Sequence, residues 1–102
     1  MVTKEQLGVL KSTDFLRLGQ NISHGNWNGA GMTLVRLQKN CSEVGLDSFD
    51  RNFVSLKQCI IRKETTNAKD VMAIVTNKRV ALINGAGKAE ESVQIAKKSD
   101  QS

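Results

Sequence analysis

His24 is the single histidine of the chain, and Cys41 and Cys59 are its two cysteines. These three side chains bound the covalent chemistry available. A hydrolytic triad needs a base beside a nucleophile. His24 falls in the turn Ser23-His24-Gly25-Asn26, with no serine or cysteine placed as its nucleophile. It reads as a solvent-exposed turn residue near a helix C-terminus, where its cation is mildly favoured. Di-iron chemistry needs Glu and Glu-x-x-His on inward helix faces, and the sequence has no such pattern. A zinc site would have one histidine, two separated cysteines and no Cys-x-x-Cys to draw on. Both cysteines lie among apolar neighbours and read as buried, reduced thiols, with one disulfide or a redox pair as the alternative. The expectation is a protein without catalytic residues, metal or cofactor.

Two other patterns invite a ligand. The run Gly25-Asn26-Trp27-Asn28-Gly29-Ala30-Gly31 is glycine-rich, but no strand precedes it and no Gly-Lys-Ser/Thr follows, so it is not a phosphate loop. The net charge is +5 with a pI near 9.5. Lys88, Lys97 and Lys98 balance Glu90, Glu91 and Asp100 in the tail, so the excess lies in the body. Arg36 and Lys39, with Lys57, Arg62, Lys63, Lys69, Lys78 and Arg79, offer a basic face for an acidic partner. Exposed aromatics for base stacking and a helix-turn-helix turn are both missing, which leaves nucleic acid as an alternative partner.

The elements that would position these residues are helical. Trp27, Ala30, Leu34, Leu37, Cys41 and Val44 recur at steps of three and four, the spacing of one helix face. This helix spans roughly 27 to 44, with Asn26 as N-cap and Gly45 as its stop. Thr3 to Gln6 reads as a capping box opening a short helix through Leu7 and Leu10. Ser12, Thr13 and Asp14 signal another N-cap before a helix over Phe15, Leu16, Leu18 and Ile22. Asp47 or Ser48 is expected to cap a helix bearing Phe49, Phe53, Leu56 and Ile60, with Ile61 extending its apolar face. A last helix carries Ala68, Val71, Met72, Val75, Arg79 and Leu82, and Gly85-Ala86-Gly87 is expected to end it. No proline interrupts these segments. Short turns between long helices imply antiparallel neighbours. The expected fold is all-α: an antiparallel up-down four-helix bundle with a short N-terminal helix over residues 1–85. Residues 86–102 form a polar tail whose composition suits a frayed helix or disorder.

Beside the core stripe of the central helix runs a second line: Met32, Val35, Arg36, Lys39 and Ser42. Val35 is one position round from Leu34 and is expected to be partly buried. An apolar residue flanked by Arg36 and Lys39 reads as a small docking patch. No apolar run approaches the roughly 20 residues of a membrane span. The segment MVTKEQLGVLK lacks the charged-then-apolar order of a signal peptide. A cytoplasmic location is the expectation.

Gly25-Asn26-Trp27-Asn28-Gly29-Ala30, then Leu34, Leu37 and Val44-Gly45, resemble the central segment of histidine phosphotransfer (HPt) domains. In that family a Gly-Asp-Trp type turn precedes a helix reading approximately Ala-His-x-Leu-Lys-Gly-x-x-x-x-(Ile/Leu)-Gly. The resemblance extends over approximately residues 12 to 84 and is strongest over 25 to 45. It implies a four-helix bundle with a short N-terminal helix. It also places Val35 where the phospho-accepting histidine belongs, Gln38 where a lysine helps hold the phosphoryl group, and Lys39 where a glycine leaves space. Valine has no nucleophilic nitrogen, so phosphotransfer at this position is excluded. What the resemblance leaves is docking: Met32, Val35, Arg36, Gln38, Lys39 and Ser42 would face the acidic pocket of a response-regulator receiver domain, or a sensor kinase, in bacterial phosphorelay signalling. A homodimer joined through the Met32/Val35 edge is the other alternative.

Overall fold

The computed structural model describes the backbone of residues 2–95 and the side chains of residues 2–85. Among the described residues it is all-helical, with α1 at Lys4–Leu10, α2 at Asp14–Ser23, α3 at Trp27–Glu43, α4 at Asp50–Arg62 and α5 at Thr65–Ile95.

Local signals start and stop these helices. Thr3 accepts from the Gln6 N–H, and the Gln6 side chain accepts from the Thr3 N–H, both at 3.0 Å. This reciprocal pair satisfies two of the first-turn donors. Asn26 caps α3, its side chain accepting from the Gly29 N–H at 3.0 Å. Both α2 and α3 end in a left-handed glycine, Gly25 at φ 70° and Gly45 at φ 71°. At the end of α3 the Leu46 N–H bonds the Cys41 carbonyl at 2.8 Å and the Gly45 N–H bonds that of Ser42 at 3.2 Å. Asn26 and Gly25 repeat the same pair against Asn21 and Ile22. These Schellman turns fold the chain back within two or three residues.

Lys63 takes the left-handed position after α4, at φ 56°. Two details differ from the sequence reading. Neither Asp47 nor Ser48 caps α4; Phe49 occupies that position and makes no side-chain cap bond. Gly85-Ala86-Gly87 does not end the last helix, whose backbone continues to Ile95. A glycine in a helix interior costs only about 1 kcal/mol, and with no proline at hand nothing forces a stop. The tail expected over residues 86–102 thus begins as helix, and residues 96–102 lie outside the described residues.

Packing forms a closed ring of neighbours. α2 lies against α3, α3 against α4, α4 against α5, and α5 against α2. α1 crosses this ring, touching α3 and α5. The enclosed core takes Leu18 and Ile22 from α2, Leu34 and Leu37 from α3, Phe53 and Leu56 from α4, and Met72 and Val75 from α5. At its centre Phe49 stacks between Phe15 and Phe53, with ring centroids 5.3 and 5.7 Å away. The expected stripe of α3 is in place: Ala30, Leu34, Leu37 and Cys41 are buried, and Trp27 and Val44 are half-buried at its ends.

Polar ties lock the crossing helix and the connections. Gln6 donates through Nε2 to the Val44 carbonyl at 3.0 Å, holding α1 to the end of α3. The Arg79 guanidinium lies 5.5 Å over the Phe15 ring and donates to the Leu10 carbonyl, the end of α1. Lys78 donates to the Ser48 carbonyl and to Asn52 Oδ1, at 3.0 and 2.9 Å.

Candidate functional site

The second line of α3 emerges on the surface, and it is more exposed than its position beside Leu34 suggests. Val35 is 66% exposed and Met32 71%, so the expectation of a partly buried Val35 is corrected. Ala30, Leu34, Leu37 and Cys41 occupy the face of α3 turned to the core. Val35 instead borders a surface groove of about 590 Å³ between α3 and α4. Trp27, Met32, Val35 and Gln38 line it from α3, and Lys57 and Ile61 from α4. Ile61, expected to extend the core face of α4, is 63% exposed and forms the opposite wall. Gly31 lies on the same seam, where a Cβ would meet Ile60 Cγ2 at 4.0 Å, an ordinary contact.

The structure brings together Met32, Val35 and Gln38 but separates the other three residues of the expected patch. Lys39 and Ser42 are exposed on α3 without lining the groove. Arg36 turns away toward α2, where its Nε donates to Asp14 Oδ2 at 3.1 Å. Asp14 is buried, so this carboxylate depends on Arg36 to compensate its lost hydration. Arg36 is therefore a structural cation linking α2 to α3. Replacing Arg36 with methionine is expected to cost about 1 kcal/mol, the exposed half of the guanidinium limiting the effect. Chemical denaturation of Arg36→Met, Asp14→Asn and the double variant checks this, with the two single losses failing to add.

The sequence reading also missed Trp27, Lys57 and Ile61 as groove residues. Ile61 follows Ile60 directly, and the sequence alone does not say which of the two adjacent apolar residues stays outside. Nothing local marks Lys57 as its neighbour. No carboxylate lines the groove among the described residues, and its charged side chain is Lys57, with Lys39 exposed on the same helix edge as Val35.

Among the described residues no constellation for covalent chemistry assembles. His24 is exposed beyond the end of α2. Cys41 and Cys59 are buried free thiols. Burial pushes the Cys41 thiol up to about 11, with the Asp50 carboxylate acting in the same direction. Burial also raises Cys59, assisted by Glu64. Neither is a ready nucleophile at neutral pH. Among the described residues no three His, Cys, Asp or Glu side chains converge as metal ligands. No described helix is long and apolar enough to cross a membrane. Of the basic residues, Lys78 and Arg79 also make internal bonds, to uncharged acceptors that leave their charge uncompensated. Comparison with protein-family models, with curated proteins and with solved structures brings no match.

Proposed function

We propose that the chain is a non-catalytic, HPt-like protein-interaction module that docks a receiver domain through the α3/α4 groove without phosphotransfer. The observation that carries this reading is Val35, an apolar residue standing open to solvent midway along α3, at the position where the resemblance expects a phosphorylated histidine. It shares its groove with Met32 and Ile61, which together form a small apolar patch. Lys39 and Lys57 give the edge the charge that an acidic receiver pocket selects. The closed ring of α2 to α5, with its short connections, supports an up-down antiparallel four-helix bundle with α1 as the short N-terminal helix. Cytoplasmic signalling in a bacterium is the setting this reading implies.

Isothermal titration of the chain against purified receiver domains tests the proposal. Val35→Asp should weaken binding at least about tenfold, because it sets a carboxylate in an apolar contact facing an acidic pocket. The same variant should leave the urea midpoint unchanged, since Val35 is exposed. No association with any receiver domain, or association indifferent to Val35→Asp, removes the proposal. Light scattering over a concentration series separates a homodimer through the same edge.

A further inference from the structure

A second groove lies on the opposite seam of the ring, between α2 and α5, and has no role in the docking reading. It encloses about 610 Å³. Its floor is apolar, built from Phe15, Ile22 and Met72, and Leu16 forms a wall that is 64% exposed. Gly19 keeps the floor open: a Cβ there would lie 3.7 Å from Met72 Cε, in ordinary contact. The α5 residues that line it, Lys69, Met72, Ala73, Thr76 and Arg79, form one stripe about 15 Å long at 1.5 Å per residue.

Charge is arranged at the two ends of that stripe. Lys69, with His24 from α2, stands at one end, and Arg79 stands at the other over Phe15. Among the described residues no carboxylate lines the groove. A cationic, acid-free rim around an apolar floor selects an anionic amphiphile. Two cationic ends about three helical turns apart match a helix carrying carboxylates at both ends of an apolar stripe. An alkyl chain with one headgroup would use only one end. The open wall at Leu16 would also leave it in water, whereas small-molecule sites bury most of their ligand. We propose that the α2/α5 groove is a second docking site, which takes an acidic amphipathic helix of another protein. The chain would then hold two partners on opposite seams.

The test is nuclear magnetic resonance titration of the isotope-labelled full chain with a synthetic helical peptide. The peptide carries leucines on one face and glutamates at both ends, and is compared with its lysine-ended counterpart and with oleate. The expected result is saturable shifts at Gly19, His24, Met72 and Thr76, with the lysine-ended peptide binding at least roughly tenfold more weakly. Lys69→Glu should weaken the acidic peptide comparably, and Gly19→Leu, which fills the floor, should abolish it while circular dichroism shows the helices intact. Val35→Asp should have no effect on this titration, so the outcome is independent of the α3/α4 reading. Shifts centred on Val35 and Ile61, equal binding of both peptides, or saturation by oleate alone would each overturn the proposal.

Discussion

Phe49→Ala should remove a large share of the stability of the chain. Phe49 is fully buried, with 0% of its surface exposed. It touches Phe15 of α2 on one side and Phe53 of α4 on the other. Truncation removes the transfer energy of the ring, both aromatic contacts, and the atoms that fill the centre of the ring of helices. Such changes cost about 3–5 kcal/mol, against a total stability of roughly 5–15 kcal/mol for a domain of this kind. Phe49 also sits where α4 begins and makes no side-chain cap bond, so its packing, with the Lys78 bonds to Ser48 and Asn52, fixes the entry of the helix. Urea denaturation followed by helical circular dichroism measures the loss. Phe49→Leu keeps most of the volume and should cost less than about 1.5 kcal/mol. A Phe49→Ala midpoint equal to that of the parent chain would show that the ring is dispensable.

The second large effect is alkaline destabilisation through Cys41. Below pH 9 the thiol is neutral in the folded and the unfolded chain, and stability is full. Between pH 9 and about 11 the unfolded chain ionises while burial keeps the folded thiol protonated, so stability falls as pH rises. Above about 11 both forms ionise and the loss levels off. Two units of displacement correspond to on the order of 2–3 kcal/mol. The chain has no tyrosine, which clears this window of phenol titration. Cys59 is shifted in the same direction and should add to the slope. Denaturation midpoints measured from pH 8 to pH 11 should therefore drop in the parent chain and flatten in Cys41→Ala with Cys59→Ala. A parallel decline in both chains would assign the loss to other groups.

The parts of the structure set by local chemistry could be read from the sequence. The stripe from Trp27 to Val44 obeys the helical period, and Asn26, Gly25 and Gly45 act through bonds spanning only a few residues. What failed was the side of a helix on which a surplus apolar residue falls. Val35, Leu16 and Ile61 each neighbour a core residue, and the amount of space inside the ring decides that they stay out. The partner of Arg36 was also hidden, because Asp14 lies on another helix and only the packing of α2 on α3 brings them within 3.1 Å. The run-on of α5 past Gly85 reflects a weaker rule. Glycine disfavours a helix without forbidding it, and no other signal stood there to break it. The α3 half of the candidate groove was therefore visible as Met32, Val35 and Gln38, while its α4 wall required the fold.

The closed ring has a kinetic meaning as well. Three of its contacts, α2 with α3, α3 with α4 and α4 with α5, join helices adjacent in the chain, and each closes a short loop. The fourth, α5 with α2, joins segments at opposite ends of the ring and closes the longest loop, so it carries the largest entropy of closure. Local pairs form early and the distant seam completes the fold. The same seam should part first when the native protein fluctuates, carrying with it the bond from Arg79 to the end of α1. Amide exchange in α1 and along α2 should then proceed by an opening cheaper than global unfolding, while the α3 and α4 amides wait for the whole domain to melt. A groove placed on that seam borrows its mobility: whatever binds there would also act as the clasp that keeps the ring shut.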